Sequence, residues 1–289
     1  MTIALHGKQI TTNTLSLIKE IMKIANHYQT KVIVSNTFME LLQGNSRFTM
    51  QGLTTFSAQQ IPHSLGLLIS IGGDGTLLEA ATYISNTKTP LLGINTGNLG
   101  FLATVIPENA ATALTKFLKG EYMLDKRTML ALSTQKQPVG FALNEVAMLR
   151  SDNSSMITLH AYVDDVLINI YWADGLMVAT PTGSTGYSLS CGGPIVLPST
   201  NDLIITPISP HNLSVRPLII PDNTTLTFTV KSRSPQILIA LDGRAMPMST
   251  DTQFTIKKAN FVLNLVKIAP TTIFDVLREK LHWGADIRN

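Results

Sequence analysis

The 289-residue chain carries 22 Lys and Arg against 19 Asp and Glu, a formal net charge of +3 with no clustered basic stripe, so a nucleic-acid-binding surface is not expected. Its 44% hydrophobic and 14% charged content suit a folded chain long enough for two domains, and no apolar run approaches the ~20 residues of a membrane-spanning helix. A single cysteine, Cys191, excludes an internal disulfide, the six histidines lack metal-ligand spacing, and the N-terminus carries no basic segment leading into an apolar core, so a cytoplasmic protein is expected.

Thr2 to His6 is a short apolar run, and Leu15, Leu17, Ile18, Ile21, Ile24, Ala25 and Tyr28 follow at helical intervals before the apolar Val32-Ile33-Val34. This β, α, β alternation continues through Leu67–Ile71, a helical pattern over Leu77–Ile84 and Leu91–Ile94. It predicts a Rossmann-like, mostly parallel sheet flanked by helices. Between the strand at Leu67–Ile71 and its helix lies Gly72-Gly73-Asp74-Gly75-Thr76. Glycines let an oxygen-rich ligand approach the peptide N–H groups, and the first helical turn adds unpaired donors and the positive end of its dipole. Gly72, Gly73 and Thr76 are therefore expected to cradle phosphate. Asp74 is repelled by such a guest unless it holds Mg²⁺ or another divalent ion, or accepts a proton from an attacking hydroxyl. The same aspartate is also suited to cap the helix. A second glycine loop, Asn95-Thr96-Gly97-Asn98-Leu99-Gly100-Phe101, follows the next strand and is expected to face the same crevice.

Pro107–Leu118 has helical spacing, and after Gly120 strand signals take over. Met129–Ser133, Val139–Leu149, Ile157–Val163, Leu167–Trp172, Leu226–Val230, Ile237–Leu241, Phe254–Ile256 and Phe261–Val266 predict an antiparallel, largely β second domain, with Asp164-Asp165 as a hairpin turn. Thr272 and Asp275 form a capping-box pattern ahead of Ile273, Leu277 and Leu281, predicting a C-terminal helix that Gly284 ends and that packs back on the first domain. The expected division is 1–102 for the α/β domain, 103–268 for the β domain and 269–289 for the returning segment.

The richest chemistry lies between Asp174 and Ser190. Thr182, Ser184, Thr185 and Tyr187 offer hydroxyls suited to ribose, phosphate or an adenine edge, Gly183 and Gly186 free the backbone, and the Tyr187 ring can stack on a base. Asn144-Glu145 interrupts an apolar strand, so the pair meets solvent at a strand end or meets a ligand, Asn144 reading adenine and Glu145 a ribose hydroxyl. Cys191, in a small-residue stretch, reads as a packed thiol.

Taken together these stretches resemble the NAD kinases. The resemblance rests on Gly72-Gly73-Asp74-Gly75-Thr76, Asn95 to Leu102, Leu143-Asn144-Glu145, Asp174-Gly175 through Thr180 to Ser190, Pro207-Ile208-Ser209-Pro210-His211, Arg216-Pro217-Leu218 and Asp242-Gly243, and so runs through most of the chain. It implies transfer of the terminal phosphoryl of ATP, or a related donor, to the 2′-hydroxyl of the NAD adenosine ribose, with a divalent metal. It implies a site between an α/β and a β domain, and a homotetramer or homodimer. Asp74 would act as base or metal organiser; Gly75, Asn144, Glu145, Ser184, Thr185, Gly186 and Tyr187 would hold NAD. Asp174 would meet the nicotinamide end, and Asp242 would lie near the reacting ribose or phosphates. The chain departs from the family at Gly186, often alanine, and at Arg244, often glutamine. The glycine–aspartate turn alone is shared with lipid kinases, and a dinucleotide sensor without turnover is the other rival reading.

Overall fold

A computed structural model describes residues 1–44, 53–58, 60–85, 87–97, 100–152, 155–268 and 272–282. In chain order the elements are β1 (Thr2–Gly7), α1 (Thr12–His27), β2 (Lys31–Ser35), α2 (Asn36–Gln43), β3 (Thr54–Phe56), β4 (Leu65–Ile71), α3 (Asp74–Tyr83), β5 (Leu91–Ile94) and α4 (Ala110–Leu118). There follow β6 (Met123–Thr134), β7 (Pro138–Ala142), β8 (Glu145–Arg150), β9 (Ile157–Val163), β10 (Val166–Ala179), the short α5 (Tyr187–Ser190), β11 (Asp202–Pro210) and β12 (Leu218–Pro221). β13 (Leu226–Lys231), β14 (Gln236–Leu241), β15 (Arg244–Ser249), β16 (Phe254–Lys267) and α6 (Ile273–Leu281) complete the chain. The chain divides into two units, 1–126 with 263–289, and 127–262.

The first unit is the expected α/β fold. Its strands run β5-β4-β1-β2-β3, all parallel, and the end of β16 adds to β5 through Leu265 opposite Leu91. Every residue of β1 and of β5 is buried, which fits parallel strands covered on both faces. Helix α1 starts where the Thr11 hydroxyl accepts the Thr14 N–H, and it buries Leu15, Leu17, Ile18, Ile21 and Ala25 against the sheet core. Each such fully buried Leu or Ile contributes about 1.5–3 kcal/mol. Helix α4 joins the same core through Ala110, Ala113, Leu114 and Phe117. The C-terminal helix α6 belongs to this unit, with the expected capping box between Thr272 and Asp275 in place. Gly284, expected to end it, lies outside the described residues.

The second unit is antiparallel, in the order β15-β14-β8-β10-β9-β13-β16, with β11 and β12 branching from β10 and the β6-β7 hairpin joined to β16 through β6. Asp164 and Asp165 form the tight turn between β9 and β10, both at positive φ (46° and 66°), and Asp164 is pinned by the Thr225 N–H. Three differences from the sequence reading bear on the site. The run Val139–Leu149 is two strands broken at Leu143-Asn144, because the following residues turn toward a different neighbour. The strand expected over Leu167–Trp172 runs on to Ala179, so Asp174 lies within strand β10. Strands Asp202–Pro210 and Arg244–Ser249 were not anticipated, their prolines having masked them; Pro247 is accommodated because β15 pairs with β14 alone, at an edge.

Candidate active site

In the first unit, β4 ends at Ile71 and the chain turns through Gly72 at φ 152°, where a Cβ would lie 2.3 Å from the Thr76 hydroxyl. Only glycine fits this position. Gly73 takes the N-cap place of α3 with no side-chain cap, and a Cβ on either Gly73 or Gly75 would meet nothing within 4 Å. The backbone is therefore bare where a phosphate is expected to approach.

Asp74 stands in the first turn and does not cap the helix. Its carboxylate instead accepts three consecutive N–H groups of the facing loop: Phe101 at 2.7 Å on Oδ2, and Leu102 and Ala103 at 3.1 and 3.0 Å on Oδ1. The two glycine loops are thus joined through one side chain. Gly100 is dictated by the same contact, since its Cβ would sit 1.9 Å from Asp74 Oδ1. Buried Asn95 stiffens the second loop, taking the Gly97 N–H and donating to the Ala103 carbonyl. A carboxylate has about four lone-pair positions. Three are filled here, so Asp74 keeps one, on Oδ2, in a half-buried setting.

In the second unit, Leu143-Asn144-Glu145 crosses between β7 and β8 beneath the hydroxyl-rich turn. The Thr180 hydroxyl donates to Leu143 O (2.6 Å), the Thr180 N–H donates to Asn144 O (2.8 Å), and a Cβ on Gly183 would lie 2.2 Å from that same Asn144 carbonyl. The turn and the Asn-Glu pair are consequently one packed unit. Glu145 is 8% exposed, and Asn144 Oδ1 and Glu145 Oε2 are buried without a hydrogen-bond partner. Such atoms cost a few kcal/mol unless a ligand completes them. Burial first, and the neighbouring Asp242 charge second, push the Glu145 carboxyl up to about 7.

The other expected residues divide sharply. A Cβ on Gly186 would approach Asn144 Nδ2 and Glu145 Oε2 at 3.5 and 3.6 Å, so its bare face borders the pair, and Tyr187 presents a ring that is 43% exposed. Thr185 is half-buried, its hydroxyl turned to Thr182 O at 3.4 Å. Ser184 is fully buried, and its hydroxyl is committed to Pro181 O, Val196 O and the Val196 N–H. In this structure it ties the turn down. Asp174 is paired with Arg150 at 3.1 Å. Asp242 is 3% exposed at the side chain, and its oxygens take the N–H groups of Leu143, Asn144 and Glu145. Arg244, where the family often has glutamine, donates to Leu241 O and Phe141 O. Cys191 is a partly buried thiol whose burial pushes its pKa up, as a packed rather than reactive cysteine requires. No group of three or more His, Cys, Asp or Glu side chains suited to a metal occurs among the described residues.

The model of the ATP-NAD kinase N-terminal domain matches residues 3–122, and that of the C-terminal domain residues 143–268. The NAD kinase of Cytophaga hutchinsonii is 42% identical over 292 residues and that of Bacteroides fragilis 38% identical over 291, each comparison covering 100% of both chains. Among solved structures, the Archaeoglobus fulgidus NAD kinase in complex with ATP superposes with a TM-score of 0.72 at 26% identity, covering 98% of each chain. A yeast NADH kinase complexed with NADH has the same fold, with a TM-score of 0.89 over 100% of this chain and 89% of that one, at 23% identity. Matched by both domain models and aligned end to end with curated relatives, the chain belongs to the NAD kinase family.

Proposed function

We propose that the protein transfers the terminal phosphoryl of ATP to the 2′-hydroxyl of the adenosine ribose of NAD, forming NADP. The observation that carries this reading is the pair of buried, unpartnered acceptors Asn144 Oδ1 and Glu145 Oε2 beside the bare face of Gly186 and the exposed ring of Tyr187. An adenosine supplies what they lack: an exocyclic amine for the amide oxygen, ribose hydroxyl protons for the carboxylate and a flat base for the ring. Asp174, held by Arg150, serves the nicotinamide end. The bare peptide at Gly73, the N-cap of helix α3, receives the donor phosphates with Gly72 and Thr76 beside it.

Asp74 receives the ribose proton on its remaining lone pair late in transfer. Phosphoryl transfer has a loose transition state and asks chiefly for positioning and charge neutralisation, so one well-held carboxylate suffices. A divalent ion, if bound there, would supply neutralisation of the triphosphate charge. Asp74 is the residue that would contribute to it. The lone cysteine fits a reducing cytoplasm. The exposed apolar side chains Val166, Leu167, Ile170 and Trp172 on one strand support association with further copies of the chain as a homodimer or homotetramer.

The test is NADPH formation in a coupled assay with purified protein, NAD, ATP and Mg²⁺, beside metal-free and lipid-substrate controls. Metal-dependent NADP formation, absent with lipid, is expected. Asp74→Asn should fold normally and lose most turnover. Wild-type activity in that variant would remove Asp74 from the chemistry.

A further inference from the structure

We infer that Asp242 and Arg244 are positioning residues which grip the Phe141–Glu145 segment by its backbone and so fix where Asn144 and Glu145 present their side chains. The inference rests on the proposed role of that pair in holding NAD. Asp242 and Gly243 form the turn between β14 and β15, both at positive φ (49° and 77°), the geometry of a two-residue hairpin. This turn aims the Asp242 carboxylate at three successive peptides: Leu143 N at 2.8 Å on Oδ2, and Asn144 N and Glu145 N at 2.7 and 3.2 Å on Oδ1. The Asp242 N–H returns a bond to Glu145 O. Arg244, two residues on, takes Phe141 O with one guanidinium nitrogen and Leu241 O with another, and its charge lies 3.9 Å from Asp242 Oδ2.

One side chain therefore accepts every N–H from residue 143 to 145 while the other donates to the carbonyl at 141. The segment is held from both polarities. Asp242 resembles Asp74 in taking three consecutive N–H groups, but it differs where it matters. Its side chain is 3% exposed and its last lone pair faces Arg244, so nothing remains for a ligand. Its effect on NAD passes through the two residues it holds.

The test uses the full-length protein and compares wild type with Asp242→Asn and Arg244→Gln. Asparagine tolerates the left-handed backbone of the turn but sets an amide N–H₂ against a peptide N–H. NAD affinity is read by calorimetry without ATP, KM is measured for NAD and for ATP, and melting is followed for each variant. Asp242→Asn should raise the NAD Kd and KM about tenfold or more and Arg244→Gln about threefold, with the ATP KM within about twofold of wild type. The pH at which NAD affinity changes should also move down in Asp242→Asn. Glu145 then loses the neighbouring charge, leaving Tyr187 and Cys191 as the other titratable groups that sense it. If Asp242→Asn proves too unstable to assay, Arg244→Gln, at a site 44% exposed, carries the test alone. Unchanged NAD affinity in folded variants would overturn the inference, and so would a fall in kcat with both KM values intact, which would mean direct contact with the reacting groups. A wild-type protein that neither binds nor phosphorylates NAD would instead refute the proposed function.

Discussion

Replacing Glu145 by glutamine should make the protein more stable and a poorer enzyme at the same time. In the folded chain the carboxyl is pushed from 4.5 to about 7, by burial first and by Asp242 second. A folded-state pKa raised above the unfolded value means that the native state holds the proton more tightly. The carboxyl therefore costs nothing below about 4.5, and stability is lost as pH rises through 7. The displacement from 4.5 to about 7 corresponds to about 3 kcal/mol at pH 8. Glutamine keeps the shape and removes the charge, so Glu145→Gln should recover about 2–3 kcal/mol at pH 8, or roughly 3–5 °C in melting temperature, and less than about 1 kcal/mol at pH 5. The same change removes the acceptor for ribose hydroxyls, so NAD affinity should fall about tenfold or more. Thermal melting of both proteins from pH 5 to 8, with calorimetric NAD binding at each pH, measures both effects. A stability gain that does not grow with pH would refute the assignment of a strained, buried charge to Glu145.

Two further substitutions probe the first unit. Gly100→Ala places a methyl where Asp74 Oδ1 now lies, so it should displace the carboxylate and cut kcat at least a hundredfold, with calorimetric NAD binding unchanged. His6 is fully buried, with Nδ1 2.8 Å from the Ser35 hydroxyl and Nε2 3.5 Å from Glu79, which Lys8 also engages. Burial lowers its pKa to about 4, outweighing the opposite pull of Glu79. A histidine depressed in this way leaves stability intact above about 6.5 and drains it as pH falls toward 4, because the unfolded chain takes the proton first. Denaturant titrations between these pH values should show a steeper loss for wild type than for His6→Gln; parallel losses would exclude His6 as the cause.

Much of the first unit could be read from sequence because its strands are buried on both faces and therefore appear as unbroken apolar runs, as in Leu67–Ile71. The exceptions were strand β3, only three residues long, and helix α2, which begins at the residue after β2 and spans eight residues, too few for a periodic signal. In the second unit, alternation revealed β13 but not β11 or β15, in which prolines interrupt the strand pattern. The site was legible as residue types and illegible as partnerships. Asp74 bonds peptides 27 to 29 positions away and Asp242 peptides 97 to 99 positions away, and nothing in local spacing announces such pairs. Ser184 looked like a ligand hydroxyl for the same reason: the Val196 peptide that occupies it lies twelve residues on.

The first unit is interrupted by the whole of the second, and this sets an order on synthesis. Strand β5 needs its outer neighbour from the end of β16, which leaves the ribosome only after residues 127–262 have been made. At cellular elongation rates that is a wait of roughly ten to thirty seconds. During it the nascent sheet carries a bare edge at Leu91, a residue with no exposed surface once the chain is complete, whereas Ile94 is already bridged by Val105. The second unit, by contrast, is contiguous and can close as soon as it emerges. Stalled or truncated chains lacking the last few dozen residues would retain Asp74, Asn144 and Glu145 and still present an unpaired strand, a template for aggregation and a signal for chaperones.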